Sequence, residues 1–341
     1  MESLTHSTES VGAEPDRSPL SWQQQMKSAI RDLAVLRKTL ELPQDLSGEL
    51  AESTFSVFAP LPFVRRMEPG NPKDPLLLQL LPTSLEDTSP PHFTTDPLAE
   101  SDAVLGPGVL KKYTGRALFI VTGACAIHCR YCFRREFPYA SNSVLGSGWD
   151  EAVSAIAADE SIEEVIFSGG DPLTVVDDQL KVLINRLEKI PHVLRLRIHT
   201  RLPIMIPDRI TEDLAAMLAG TRLEVVVVIH ANHANELDDE VAAAIDRLKA
   251  TGATMLNQSV LLAGVNDDAS TQIALSKRLL AIGVLPYYLH QLDQVIGTSH
   301  FEVPISRGKE IIATMRASLP GFAVPRYVQE IPGQPNKTVL A

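Results

Sequence analysis

Cysteine is scarce in this chain: three in 341 residues, Cys125, Cys129 and Cys132, and none elsewhere. An odd count in a chain of this size excludes a disulfide-stapled fold, and three thiolates do not complete a four-cysteine zinc site. Basic residues are outnumbered by acidic ones, 31 to 42, and the formal net charge of −11 excludes the basic surface that a phosphate backbone requires. No apolar run approaches the roughly eighteen residues of a membrane helix. The first twenty residues carry neither the basic start nor the apolar stretch of a secretory signal. These absences point to a soluble enzyme in a reducing cytoplasm, with no nucleic-acid or membrane partner. With 45% hydrophobic and 21% charged residues the chain sustains a substantial core.

What is present is concentrated. All three cysteines fall in one short stretch, Thr-Gly-Ala-Cys125-Ala-Ile-His-Cys129-Arg-Tyr-Cys132-Phe-Arg-Arg. A cubane iron–sulfur cluster normally takes four thiolates, so three leave one iron open to a substrate or cofactor. A structural zinc site completed by a distant histidine, or reduced core cysteines, are the alternatives. Free buried cysteines rarely gather like this.

Residues 1–20 read as a disordered lead rich in Ser, Thr, Glu and Pro. From Trp22 to Leu40, Met26, Ile30, Leu33 and Leu36 recur at helical spacing. Five prolines between 60 and 75 keep any following helices short, and 82–102 reads as a long loop. Residues 21–105 are therefore expected to form a helical accessory domain. After Lys111, short apolar runs at 117–121, 164–167, 194–198, 223–229, 254–262 and 284–289 alternate with helix-sized segments. The run 225–229 has no polar alternation, as expected of a parallel strand covered on both faces. Leu180, Leu183, Ile184 and Leu187 form a stripe opened near Asp177 and stopped by Pro191, and Val241, Ile245 and Leu248 form another before Gly252. Six repeats over 111–330 predict an α/β fold, a partial (β/α)6 TIM-like barrel, with a doubly wound open sheet as the alternative.

In such barrels the chemistry sits at the carboxyl ends of the strands. Those ends carry the cysteines, then Ser168-Gly169-Gly170-Asp171, His199-Thr200-Arg201, His230 with Asn232, Asn257 with Gln258, and His290 with Asp293. Two adjacent glycines let a backbone approach a ligand closely, and Asp171 supplies a carboxylate acceptor. His230, Asn257 and Gln258 read either as satisfied core polar groups or as part of a pocket. Arg195, Arg197 and His199 share one strand face and require carboxylates, water or an anion opposite.

The cysteine spacing, with Tyr131 and Phe133 around the last thiol, resembles the signature of the radical S-adenosylmethionine (SAM) enzymes. From Tyr113 onward the resemblance is to their lysine 2,3-aminomutase branch. It is carried by Tyr113-Thr-Gly-Arg116-Ala-Leu, Phe167-Ser-Gly-Gly-Asp-Pro172, Leu256-Asn-Gln-Ser-Val-Leu-Leu262, Gly264-Val-Asn-Asp267, Tyr287-Tyr-Leu-His-Gln-Leu-Asp293 and Pro335-Asn-Lys-Thr338. Within the branch, Cys129-Arg-Tyr-Cys-Phe-Arg-Arg-x-Phe-Pro-Tyr139 and the short tail after Lys337 look most like the bacterial enzymes that make (R)-β-lysine for elongation factor P. This resemblance implies a [4Fe–4S] cluster on Cys125, Cys129 and Cys132, and SAM held by Ser168, Gly169, Gly170, Asp171, His230, Asn257 and Gln258. It also implies pyridoxal 5'-phosphate (PLP) on Lys337 in the 331–341 segment, with Arg116, Tyr113 and Lys112 near its phosphate. Arg134 would meet the substrate carboxylate, and Asp293 with Glu330 the distal ammonium of L-lysine, the latter where catabolic relatives carry an aspartate. The implied partners are elongation factor P and its lysyl ligase. An aminomutase for another amino acid, or a non-catalytic iron–sulfur module, is the alternative. The tail is expected to fold back over the barrel mouth.

Overall fold

A computed structural model describes residues 20–43, 55–137 and 148–341. The expected lead at 1–19 and the Pro138-Tyr139 end of the cysteine text lie outside the described residues. One ten-stranded sheet follows the chain order. β1 (Val104–Gly106), β2 (Val109–Tyr113) and β3 (Arg116–Thr122) are antiparallel to one another. From β3 the ladder is parallel through β4 (Glu164–Gly169), β5 (Arg195–Thr200), β6 (Glu224–Ile229), β7 (Thr254–Val260), β8 (Leu285–His290) and β9 (Arg326–Gln329). β10 (Thr338–Val339) returns antiparallel to β9, and β1 and β10 remain unpaired edges, so the barrel is open as expected.

The helices behind this sheet form for the reasons their sequences suggest. In Asp177–Leu187 the expected stripe of Leu180, Leu183, Ile184 and Leu187 is the buried face. In Asp239–Ala250 Val241, Ile245 and Leu248 are buried, and Asp238 caps the first turn by accepting from Val241 N at 2.9 Å. β4 is buried at every position. β6 is buried only from Val227 onward, because Glu224 and the first valines reach the rim.

Two elements differ from expectation. The 22–40 pattern is not one helix but α1 (Trp22–Lys27) and α2 (Leu33–Thr39). Asp32 takes an extended conformation and accepts from Val35 N, so it starts a new helix instead of continuing the old one, while Ile30 bridges Ala59. β9 is a seventh parallel strand; its four residues, Arg-Tyr-Val-Gln, are too short and too polar for periodicity to register.

Trp22, Ile30, Leu36, Phe63, Leu76, Leu77 and Leu80 share a single apolar cluster with Val121, Phe167, Ile198 and Ile229 of the barrel. The N-terminal segment is thus packed into the barrel's own core.

Candidate active site

A cavity of about 600 Å³ runs inside the curled sheet, and the three cysteines and Lys337 line it together. The cysteines occupy the loop after β3, and all three are free thiols. Burial, then the neighbouring Cys129, pushes the Cys132 thiol up to about 12; burial, then Cys132, raises Cys125 well above its ordinary value. Ionising one of these thiols beside another is opposed by burial and mutual repulsion, which a bound cationic cluster would relieve.

Three arginines within the loop anchor it to the N-terminal segment. Arg130 is fully buried and forks onto Glu86, with Nε donating at 2.8 Å and Nη2 also paired. Arg135 Nη2 reaches the same Glu86 at 2.9 Å, and Arg134 grips Glu100 bidentately at 2.7 and 2.8 Å. Phe55 lies under both Arg130 and Arg135. Glu86 and Glu100 come from short 3-10 turns in the 82–102 stretch (Ser84–Asp87 and Glu100–Ala103). Neither turn carries a periodic signal. The signal that could have found them is the demand itself: three arginines packed into a cluster loop require carboxylates from somewhere.

The two glycines have a packing role besides the one the sequence suggests. A Cβ on Gly169 would stand 2.3 Å from Thr122 O, and one on Gly170 would stand 2.2 Å from Ala124 O. Gly170 N and Asp171 N donate to those same carbonyls, at 2.8 and 2.7 Å. The close approach is therefore between the β4 turn and the cysteine loop, which the glycines dock together. The Asp171 carboxylate accepts from Thr200 Oγ1, Arg201 N, Leu202 N and Leu173 N, which fills its lone pairs. It ties β4 to β5. Asn257 is outside the cavity lining: Oδ1 accepts from Ala231 N at 2.8 Å and Nδ2 donates to Ala231 O at 3.1 Å. Its amide is consumed in joining β6 to β7, which corrects its expected place in a cofactor pocket.

Ser168, Gly169, Gly170, Asp171, His230 and Gln258 do line the cavity. Ser168 Oγ accepts from Arg134 Nη1 at 3.1 Å. Gln258 Nε2 lies 2.9 Å from His230 Nε2, and burial lowers His230 to about 3, so the ring is a neutral acceptor. His199 and His290 also line the space, each with a buried Nε2 that has no partner among the described residues.

At the other end stands an alternating row of charges. Lys337 Nζ pairs with Glu330, Glu330 with Lys112 at 2.9 Å, Lys112 with Glu100 at 3.3 Å, and Glu100 with Arg134. Burial opposes ionisation of Glu330, but the Lys337 and Lys112 ammoniums prevail and hold it at about 2. Burial, then the charge on Glu330, pushes Asp293 up to about 7. Arg116 stacks over Tyr113 at 4.6 Å and, among the described residues, has no carboxylate partner. Lys112 is spent on two carboxylates, whereas Arg116 keeps its anion-binding capacity. Lys337 reaches the cavity through the tail, which adds to the sheet beside β9 as β10. Arg195 and Arg197 find the carboxylates they require in Glu224 and Glu164.

An open parallel barrel with three thiols on the loop after its first parallel strand defines a radical SAM enzyme, and the Radical SAM superfamily model matches residues 119–273. Such enzymes hold a [4Fe–4S] cluster and SAM. The chain is 48% identical over 327 residues to an L-lysine 2,3-aminomutase of Haemophilus influenzae, covering 95% of this chain and 97% of that one. It is 46% identical over 322 residues to that of Escherichia coli, covering 94% of each. To that of Clostridium subterminale it is 36% identical over 320 residues, which are 93% of this chain and 77% of the relative. The chain belongs to the L-lysine 2,3-aminomutase family, isomerases of the radical SAM class. Among the described residues no helix is long and apolar enough to cross a membrane.

Proposed function

We propose that this protein is a PLP-dependent radical SAM aminomutase that converts L-α-lysine to (R)-β-lysine in the cytoplasm, for attachment to elongation factor P by a separate ligase. The observation that carries the reading is the sharing of one buried cavity by Cys125, Cys129, Cys132 and Lys337. When bound, the cluster with SAM supplies a hydrogen-abstracting radical and PLP supplies a sink for unpaired spin.

The chain's own residues do the rest. Cys125, Cys129 and Cys132 are the donors for the cluster, and Lys337 Nζ is the amine that would hold PLP. Arg116, without an internal counterion, is suited to the phosphate, with Tyr113 beneath it. Arg134 gives Nε and Nη2 to Glu100, so the edge it would offer a substrate carboxylate is Nη1, now on Ser168. Glu330 holds the Lys337 ammonium until that lysine is engaged elsewhere, and is then available, with Asp293, to a substrate ammonium. Two carboxyls at the distal subsite select a cationic side chain and disfavour glutamate. The neutral rings of His199, His230 and His290 wall the space without adding charge.

Anaerobic reconstitution with iron and sulfide, then incubation with SAM, PLP, a reductant and L-lysine, is expected to yield β-lysine, with chiral analysis assigning the R form. Lys337→Ala is expected to abolish both product and the PLP absorption. A wild-type protein that carries its cluster but forms no β-amino acid would overturn the proposal.

A further inference from the structure

One buried charge in the cavity wall has no part in the scheme above. Arg201 follows β5, is 6% exposed, and points its guanidinium at the cysteine loop. Its Nη1 donates to Cys129 Sγ at 2.9 Å and to Tyr131 Oη at 2.8 Å. Its Nη2 donates to Gln79 Oε1 at 3.0 Å and Glu236 Oε2 at 2.8 Å. Glu236 is fully buried and is fixed in turn by Gln79 Nε2 and by the backbone N–H groups of Asn232 and His233. Asn232 Nδ2 closes the ring onto Gln79 and Tyr131.

The arrangement is lopsided in two ways. Of the three cluster cysteines, Cys129 alone among the described residues receives an N–H from a charged side chain. The ion pair is also oriented, with the guanidinium against the sulfur and the carboxylate on its far side. A fixed dipole with its positive end on a thiolate stabilises added negative charge at that site, and hydrogen bonds to cluster sulfurs are among the groups that set reduction potentials. Burying a charged pair costs several kcal/mol in desolvation, so its placement against one sulfur asks for a reason beyond packing.

We propose that Arg201, aimed by Glu236 and Gln79, is a positioning residue that raises the reduction potential of the cluster through the Cys129 sulfur, so that the cluster accepts its electron more readily. The inference rests on the cluster assignment within the proposed function and not on the identity of the amino acid rearranged.

The test is an anaerobic reductive titration of reconstituted protein followed by electron paramagnetic resonance, without substrate. Iron and sulfide content are measured first. Arg201→Gln is expected to lower the reduced-to-oxidised ratio at a fixed potential about tenfold, which is ~59 mV for a one-electron couple. Arg201→Lys, which keeps the charge but not the fork, should fall between. Glu236→Gln removes the opposing charge and should shift the potential upward. That opposite sign is not produced by general loosening, and it decides the matter if Arg201→Gln fails to hold a cluster. An unchanged potential in Arg201→Gln at full cluster content, or a downward shift in Glu236→Gln, would overturn the proposal. A wild-type protein that assembles no cluster would instead overturn the proposed function.

Discussion

Asp293 and Asn257 show how far residue identity alone carries. Both stand at strand ends in the sequence, yet one lines the cavity as a carboxyl held near neutrality and the other is spent on the Ala231 backbone. Below about pH 7 the Asp293 carboxyl is neutral and cannot pair with a substrate ammonium; above it, the carboxylate can. kcat/KM for lysine is therefore expected to rise with pH through about 7. Asp293→Asn should erase that limb and cost roughly ten- to a hundredfold at higher pH, the equivalent of about 1.5–3 kcal/mol for a charged hydrogen bond. Asn257→Ala should lower stability to urea by about 1–3 kcal/mol, because the Ala231 N–H and C=O lose their partner, while SAM affinity of the folded protein stays within about twofold. The cysteines, Lys337 and Arg116 stand out in the sequence because their chemistry or family text is distinctive, and they line one cavity. Glu100, Glu86, Glu236 and Gln79 were not, since a lone acid or amide in a loop looks solvated until its buried partner is known.

At the scale of elements, the strands were readable where apolar runs were long, and six of the seven parallel strands follow them closely. The break between α1 and α2 was not readable, because the apolar spacing runs on through the Asp32 cap. The stretch from 82 to 102 reads as loop and largely is, but two of its turns carry the carboxylates that hold the cysteine loop. Asp96 accepts from Glu100 N and Ser101 N, and Ala99 adopts φ 47°, a left-handed conformation costly for a residue with a Cβ. That cost is spent on presenting Glu100 to Arg134. Glu86→Gln would strand two buried guanidiniums and is expected to destabilise the fold by ~3–5 kcal/mol. Thermal melts should show the loss, and iron retention after desalting should fall with it.

For the molecule as a whole, the sequence suggests an accessory helical domain ahead of a barrel, whereas the apolar side chains of both lie in one cluster. A chain beginning at residue 104 would expose barrel faces now covered by Phe63, Leu76, Leu77 and Leu80. It is expected to be insoluble or to lack the near-ultraviolet circular dichroism of fixed packing, and the full chain to melt in a single calorimetric transition.

The two free edges of the sheet also have a shared fate. β2, one strand in from the edge strand β1, meets the β9–β10 turn, and what joins them there is Lys112 on Glu330 rather than a ladder of amides. Along that line the wall is held by side-chain charge and not by backbone pairing.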